Sequence, residues 1–145
     1  ANCTPNDGTR KPRFRVRARV RRSCQVSATG IDFGSVGNLN APVTATGTLT
    51  VRCTNTTAHR IKLDGGLAGA SQPGQRKMFK GTDTITYGIY KDAAHTQGWS
   101  STAAGDVNAV GTGYDQTYTM YGKVPAQPTP PTGTYQDTVA VRVYF

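Results

Sequence analysis

The chain has 145 residues, 17% of them charged, and carries a formal net charge of +9. Glu is absent while Gly, Thr, Tyr and Val are plentiful, a composition that disfavours helices and suits strands. The length is that of one domain with a real core, and no apolar run approaches about 18 residues, which excludes a transmembrane helix.

The charge is concentrated near the start. Arg10, Lys11, Arg13, Arg15, Arg17, Arg19, Arg21 and Arg22 lie in a stretch without acids, and the rest of the chain is close to neutral. Residues 13–21 alternate strictly between cation and apolar side chain. Successive side chains of a strand point to opposite faces, so Phe14, Val16, Ala18 and Val20 line one face. Arg13, Arg15, Arg17, Arg19 and Arg21 line the other. The preceding residues are rich in Asn, Thr, Pro and charge and supply no hairpin partner. Such a strand must find its sheet elsewhere. No leader is expected within the opening Ala-Asn-Cys-Thr, which is compatible with a mature, cleaved form.

Beyond the arm, short alternating runs separated by turn signals predict an all-β sandwich. The first strand spans 25–36, interrupted around Gly30, with Ile31 and Phe33 on one face. The longest clean alternation is 43–53, with Val43, Ala45, Gly47, Leu49, Val51 and Cys53 inward. A short strand at 60–63 closes in the turn Asp64-Gly65-Gly66, and 66–75 reads as a loop. Residues 84–90 place Ile85, Tyr87 and Ile89 together, and 91–113 read mostly as loop, holding the single tryptophan, Trp99. Residues 117–124 align Tyr118, Met120, Gly122 and Val124, and four prolines make 125–133 a connection. The last strand, 138–145, sets Val139, Val141, Val143 and Phe145 on one face.

Three cysteines permit one disulfide with one thiol over. Cys24 opens the first body strand and Cys53 ends the inward face of the second, so these two are the expected pair, in an oxidising compartment. Cys3 is the odd one. The body is expected to lack one strand at its C-terminal side while a spare strand sits at its N-terminal side. An uncovered apolar groove is costly in water. Either the arm folds back into its own groove, or it enters a neighbour's.

Several ordered motifs resemble the spore coat protein U domain. They are Cys24-Gln-Val26, Ile31-Asp-Phe33-Gly34, Leu49-Thr-Val51-Arg-Cys53, Ile85-Thr-Tyr87-Gly-Ile89-Tyr90-Lys-Asp92, Tyr121-Gly122-Lys-Val124-Pro125-Ala126-Gln127 and Gly133-Thr-Tyr135-Gln-Asp137-Thr138-Val139-Ala-Val141. The resemblance covers about residues 24–145 and includes subunits of archaic chaperone–usher pili. It implies an incomplete immunoglobulin-like β-sandwich lacking its last strand, completed by an N-terminal donor strand from another subunit. Residues 1–22 would then be tail and donor strand, and 23–145 the pilin domain. Phe14, Val16, Ala18 and Val20 would fill an acceptor groove lined by Ile31, Phe33, Val139, Val141, Val143 and Phe145. The implied partners are copies of the chain in a head-to-tail fibre, with a periplasmic chaperone and an outer-membrane usher during assembly. The implied location is an extracellular fibre reached through the periplasm, serving attachment and biofilm. The arm's almost wholly arginine outer face and Cys3 depart from the family pattern.

Other classes have weaker support. A spore or cell coat protein forming a protective layer is the first alternative, and a monomeric polyanion- or carbohydrate-binding module the second. A phosphate-tracking arm has no need of apolar alternation, and Phe14 is its only aromatic, so specific nucleic-acid binding is not expected. Polar outward faces and too few strands argue against membrane insertion as a barrel, despite the terminal Tyr144-Phe145. Catalysis, cofactors and a metal site are not expected: His59 and His95 fall in separate loops, and no catalytic or phosphate-binding motif occurs. Asp64-Gly65-Gly66 reads as a plain turn and Asn55-Thr56-Thr57 as loop. Trp99 is equally a core plug or a contact residue.

Overall fold

A computed structural model describes residues 10–102 and 105–145. Among these residues all regular structure is strand: β1 (Cys24–Ala28), β2 (Val43–Cys53), β3 (Ala58–Leu63), β4 (Arg76–Lys80), β5 (Asp83–Tyr90), β6 (Val107–Val110), β7 (Asp115–Val124) and β8 (Val141–Tyr144). They form two antiparallel sheets, one ordered β1-β2-β7-β5-β4 and one ordered β6-β3-β8, packed as a sandwich.

The period-2 patterns explain the core. In β2 the inward series ends in Gly47, Leu49, Val51 and Cys53, all buried, while the intervening threonines face out. β7 pairs with β2 along its length, so Met120 and Val124 join the same face. β3 contributes Ile61 and Leu63 from the opposite sheet. Trp99 is the plug between them. Its ring is 1% exposed, its Nε1 donates to the Ile61 carbonyl at 3.1 Å, and it meets Tyr118 edge-on. A buried indole keeps its N–H partnered for the reason any buried donor does.

Cys24 and Cys53 sit directly opposite each other in the β1–β2 ladder and are joined by a disulfide. The loop it closes spans 29 residues in sequence. Replacing both by serine is expected to lower unfolding free energy by roughly 3 kcal/mol, read from urea denaturation of the monomer.

Four elements differ from the sequence reading. The first strand stops at Ala28 instead of running to 36: Thr29 still donates its N–H to Thr48, and the chain then leaves the sheet, turning at Gly34 (φ 72°), whose N–H is held by Asp32. β4 lies in a segment left unassigned, and β6 lies inside the stretch read mostly as loop. The last strand is shorter than 138–145, because the N–H groups of Thr138 and Ala140 are taken by the carboxylates of Asp137 and Asp64. His59 is in β3 and buried, not in a loop, with Nδ1 against the Thr57 carbonyl. Asp64-Gly65-Gly66 is the turn expected. Asp64 accepts from Gly66 N–H at 3.0 Å, and a Cβ on Gly66 (φ 70°) would run into the Asp137 carboxylate.

Candidate functional site

Among the described residues β8 pairs only with β3, so its other edge is open. Beside it lies a cleft of about 1000 Å³. Protein interiors are close-packed, with few voids larger than a water molecule. A cleft this large leaves core side chains beside the open β8 edge uncovered.

One wall is the irregular segment 28–37 and carries Ile31 and Phe33. Two glycines let that segment lie close. A Cβ on Gly47 would meet Ile31 Cγ1 and the Thr29 carbonyl at 2.9 Å, and one on Gly122 would meet Phe33 Cζ at 2.8 Å. Gly122 opposes Ala45 and Gly47 opposes Met120 in the β2–β7 ladder, so the two form one smooth patch under the wall. The other wall is Val139, Val141 and the proline-rich connection ending at Asp137. The floor is core: Leu63, Met78, Tyr87, Met120 and Val124.

The floor has one polar spot. Tyr87 donates its hydroxyl to Asp137 at 2.5 Å, and Asp137 also accepts from the N–H groups of Leu67 and Thr138. Behind it the buried Arg76 donates to the carbonyls of Asp64 and Trp99. Burial holds the Arg76 guanidinium below its ordinary value against the opposing pull of Tyr87, Asp137 and Asp64. Burial, then the bond to Asp137, pushes the Tyr87 phenol well above the usual tyrosine range. A raised folded-state value means the stabilisation is complete below the unfolded value of about 10 and is lost as pH climbs towards the folded one. Stability is therefore expected to fall as pH rises above about 10, and Tyr87→Phe to flatten that fall, as read from urea midpoints across the alkaline range.

The arm lies outside this cleft. Residues 10–23 join no strand, and Phe14, Val16 and Val20 are 86%, 85% and 82% exposed. Its root is tied down by Thr54: the hydroxyl donates to the Arg21 carbonyl and accepts from Ser23 N–H, both at 3.0 Å.

Of the expected groove residues, Ile31, Phe33, Val139 and Val141 meet in the cleft. Val143 and Phe145 do not line it. Val143 packs on the core, and Phe145 is half exposed beside the arm root, where Arg19, Val20 and Arg22 also stand. Alternation places Gly47 and Gly122 inward but gives no sign that they seat the wall, and Met78 carries no sequence signal. Tyr87, Met120 and Val124 were legible as inward-facing, but alternation does not say which inward residues lack a cover. Cys24, Cys53 and His59 bring metal-type atoms within 4.8 Å of one another, but both sulfurs are committed to the disulfide. Cys3 and the start of the arm fall outside the described residues.

The model of the Spore Coat Protein U domain matches residues 12–142. The chain belongs to this family. Protein U of Myxococcus xanthus is 33% identical over 126 residues, covering 82% of this chain. A chain in the crystal structure of the CsuC–CsuE chaperone–tip adhesion subunit pre-assembly complex, from archaic chaperone–usher Csu pili of Acinetobacter baumannii, superposes with a TM-score of 0.63. That chain is 28% identical and the match covers 87% of the present one. The spore coat U domain here spans 64% of Protein U and 40% of the solved chain.

Proposed function

We propose that the chain is a structural subunit of an extracellular archaic chaperone–usher pilus that polymerises by donor-strand exchange. Its fibre would serve surface attachment and biofilm formation. One observation supports this reading: the same chain presents an open core-deep cleft and an exposed arm of strict apolar alternation. Adding an extended segment to a free sheet edge is β-augmentation, in which main-chain bonds give affinity and alternate side chains give specificity. Phe14, Val16, Ala18 and Val20 of one subunit fill the cleft of the next, against Ile31, Phe33, Val139 and Val141. Burial of the three larger side chains is worth roughly 1.5–3 kcal/mol each, and each ladder hydrogen bond about 0.5–1.5 kcal/mol. A periplasmic chaperone holding the cleft before assembly, and an outer-membrane usher, complete the scheme. The relation to the Csu complex supports the chaperone.

The family's description favours one further reading, deposition as a coat layer built on the same strand exchange. Negative-stain electron microscopy of the purified chain separates them. Thin unbranched fibres are expected; sheets would favour the coat, and dispersed monomers would contradict both.

A further inference from the structure

The outer face of the small sheet has a composition that assembly does not explain. Arg60 and Lys62 of β3 and Arg142 and Tyr144 of β8 point outward, with Lys62 opposite Arg142 and Arg60 opposite Tyr144. Asn108 of β6 completes the face opposite Arg60. No acid stands on these outward positions; Arg60 reaches only the buried Asp106, at 3.9 Å, and Lys62 lies 5.1 Å from the Tyr144 ring centre.

The arm extends this face. Side chains opposite one another on neighbouring strands share a face of the sheet. An arm paired to the open edge of β8 with Phe14, Val16, Ala18 and Val20 inward sets Arg13, Arg15, Arg17, Arg19 and Arg21 outward. They then continue the row begun by Arg142, Lys62 and Arg60. Arginines on alternate residues stand about 6.6–6.8 Å apart along the strand. Each guanidinium offers a planar fork that matches a carboxylate.

We propose that strand exchange builds at each subunit joint a composite basic face that binds a carboxylate-bearing acidic polysaccharide. This rests on the donor-strand reading, since neither half of the face is complete in a single chain. The occupant follows from the chemistry. The cations are numerous and only Arg60 has an acid within reach, and Tyr144, 49% exposed with Lys62 over its ring, is a single aromatic platform at the edge of the face. A nucleic acid would call for a series of aromatics on which successive bases stack, or for an element entering a duplex groove, and this flat face has neither.

The test uses fibres of the full chain, titrated with polygalacturonate, with neutral dextran and with duplex DNA at about 50 and about 200 mM salt, the range over which charge-driven binding weakens. Binding to polygalacturonate that weakens with salt, and none to dextran, is expected. Fibres of the triple variant Arg60→Thr, Lys62→Thr, Arg142→Thr, with normal length and melting temperature, are expected to bind at least about tenfold more weakly. Wild-type fibres that ignore polygalacturonate, variant fibres that bind as well, or tighter binding of duplex DNA would each overturn the proposal. If no fibres form, the donor-strand reading fails and takes the composite face with it. Fibres that form without binding defeat the polysaccharide alone.

Discussion

Aspartate at both Val16 and Val20 is expected to leave the full chain folded but unable to form fibres. Both side chains are exposed in the free arm, so the substitutions cost the isolated domain little. On the donor-strand reading they would instead enter a neighbour's cleft, whose lining includes the core residues Tyr87, Met120 and Val124. The exchange would forfeit about 3–6 kcal/mol of apolar burial, on the order of 10²–10⁴ in affinity, before counting the desolvation of two carboxylates. Sedimentation should show monomer where wild type shows polymer. Alanine at Arg15, Arg17 and Arg19, on the other face of the same strand, should leave assembly intact. Loss of fibres there would mean that the arm works by charge and not by insertion.

The second large effect is expected on the accepting side. Gly47→Val places a branched side chain where even a Cβ would stand 2.9 Å from the Thr29 carbonyl and from Ile31. Backbone cannot yield as a side-chain tip does, so the wall at 28–31 must move off the sheet. Overpacking of this kind costs about 1–3 kcal/mol of stability, and the displaced wall carries Ile31 and Phe33 away from the cleft. This chain keeps a competent arm and lacks a competent cleft. Mixed with the Val16→Asp, Val20→Asp chain, it should give one-to-one dimers and nothing longer, because one partner only donates and the other only accepts. Polymers from that mixture would show that arm and cleft are not the two halves of the joint.

The legibility of the fold follows from strand length. β2 and β7 run for 11 and 10 residues, long enough for alternation to declare an inward face, and both faces are as read. β6 has four residues and β4 puts three cations among five, so neither repeats an apolar period often enough to be seen. Trp99 lies in a loop by sequence, and only the tertiary fold brings its N–H to Ile61. The cleft was half legible. Val139 and Val141 line it as alternation requires, but the same alternation carried on to Val143 and Phe145, past the point where the cleft ends. The alternation through Ile31 and Phe33 predicts a strand, and it is the departure from the sheet after Ala28 that makes the segment a wall. Gly47 and Gly122 reveal their purpose only through what lies above them.

The most direct measurement is thermal melting of the chain lacking residues 1–22, alone and with a synthetic peptide of residues 10–22. The truncated chain is expected to be a poorly stable monomer that the peptide raises markedly in melting temperature, with no response to a peptide carrying aspartate at positions 16 and 20. A truncated chain as stable as the full one and indifferent to the peptide would contradict it, since the sandwich would then need no strand from another subunit.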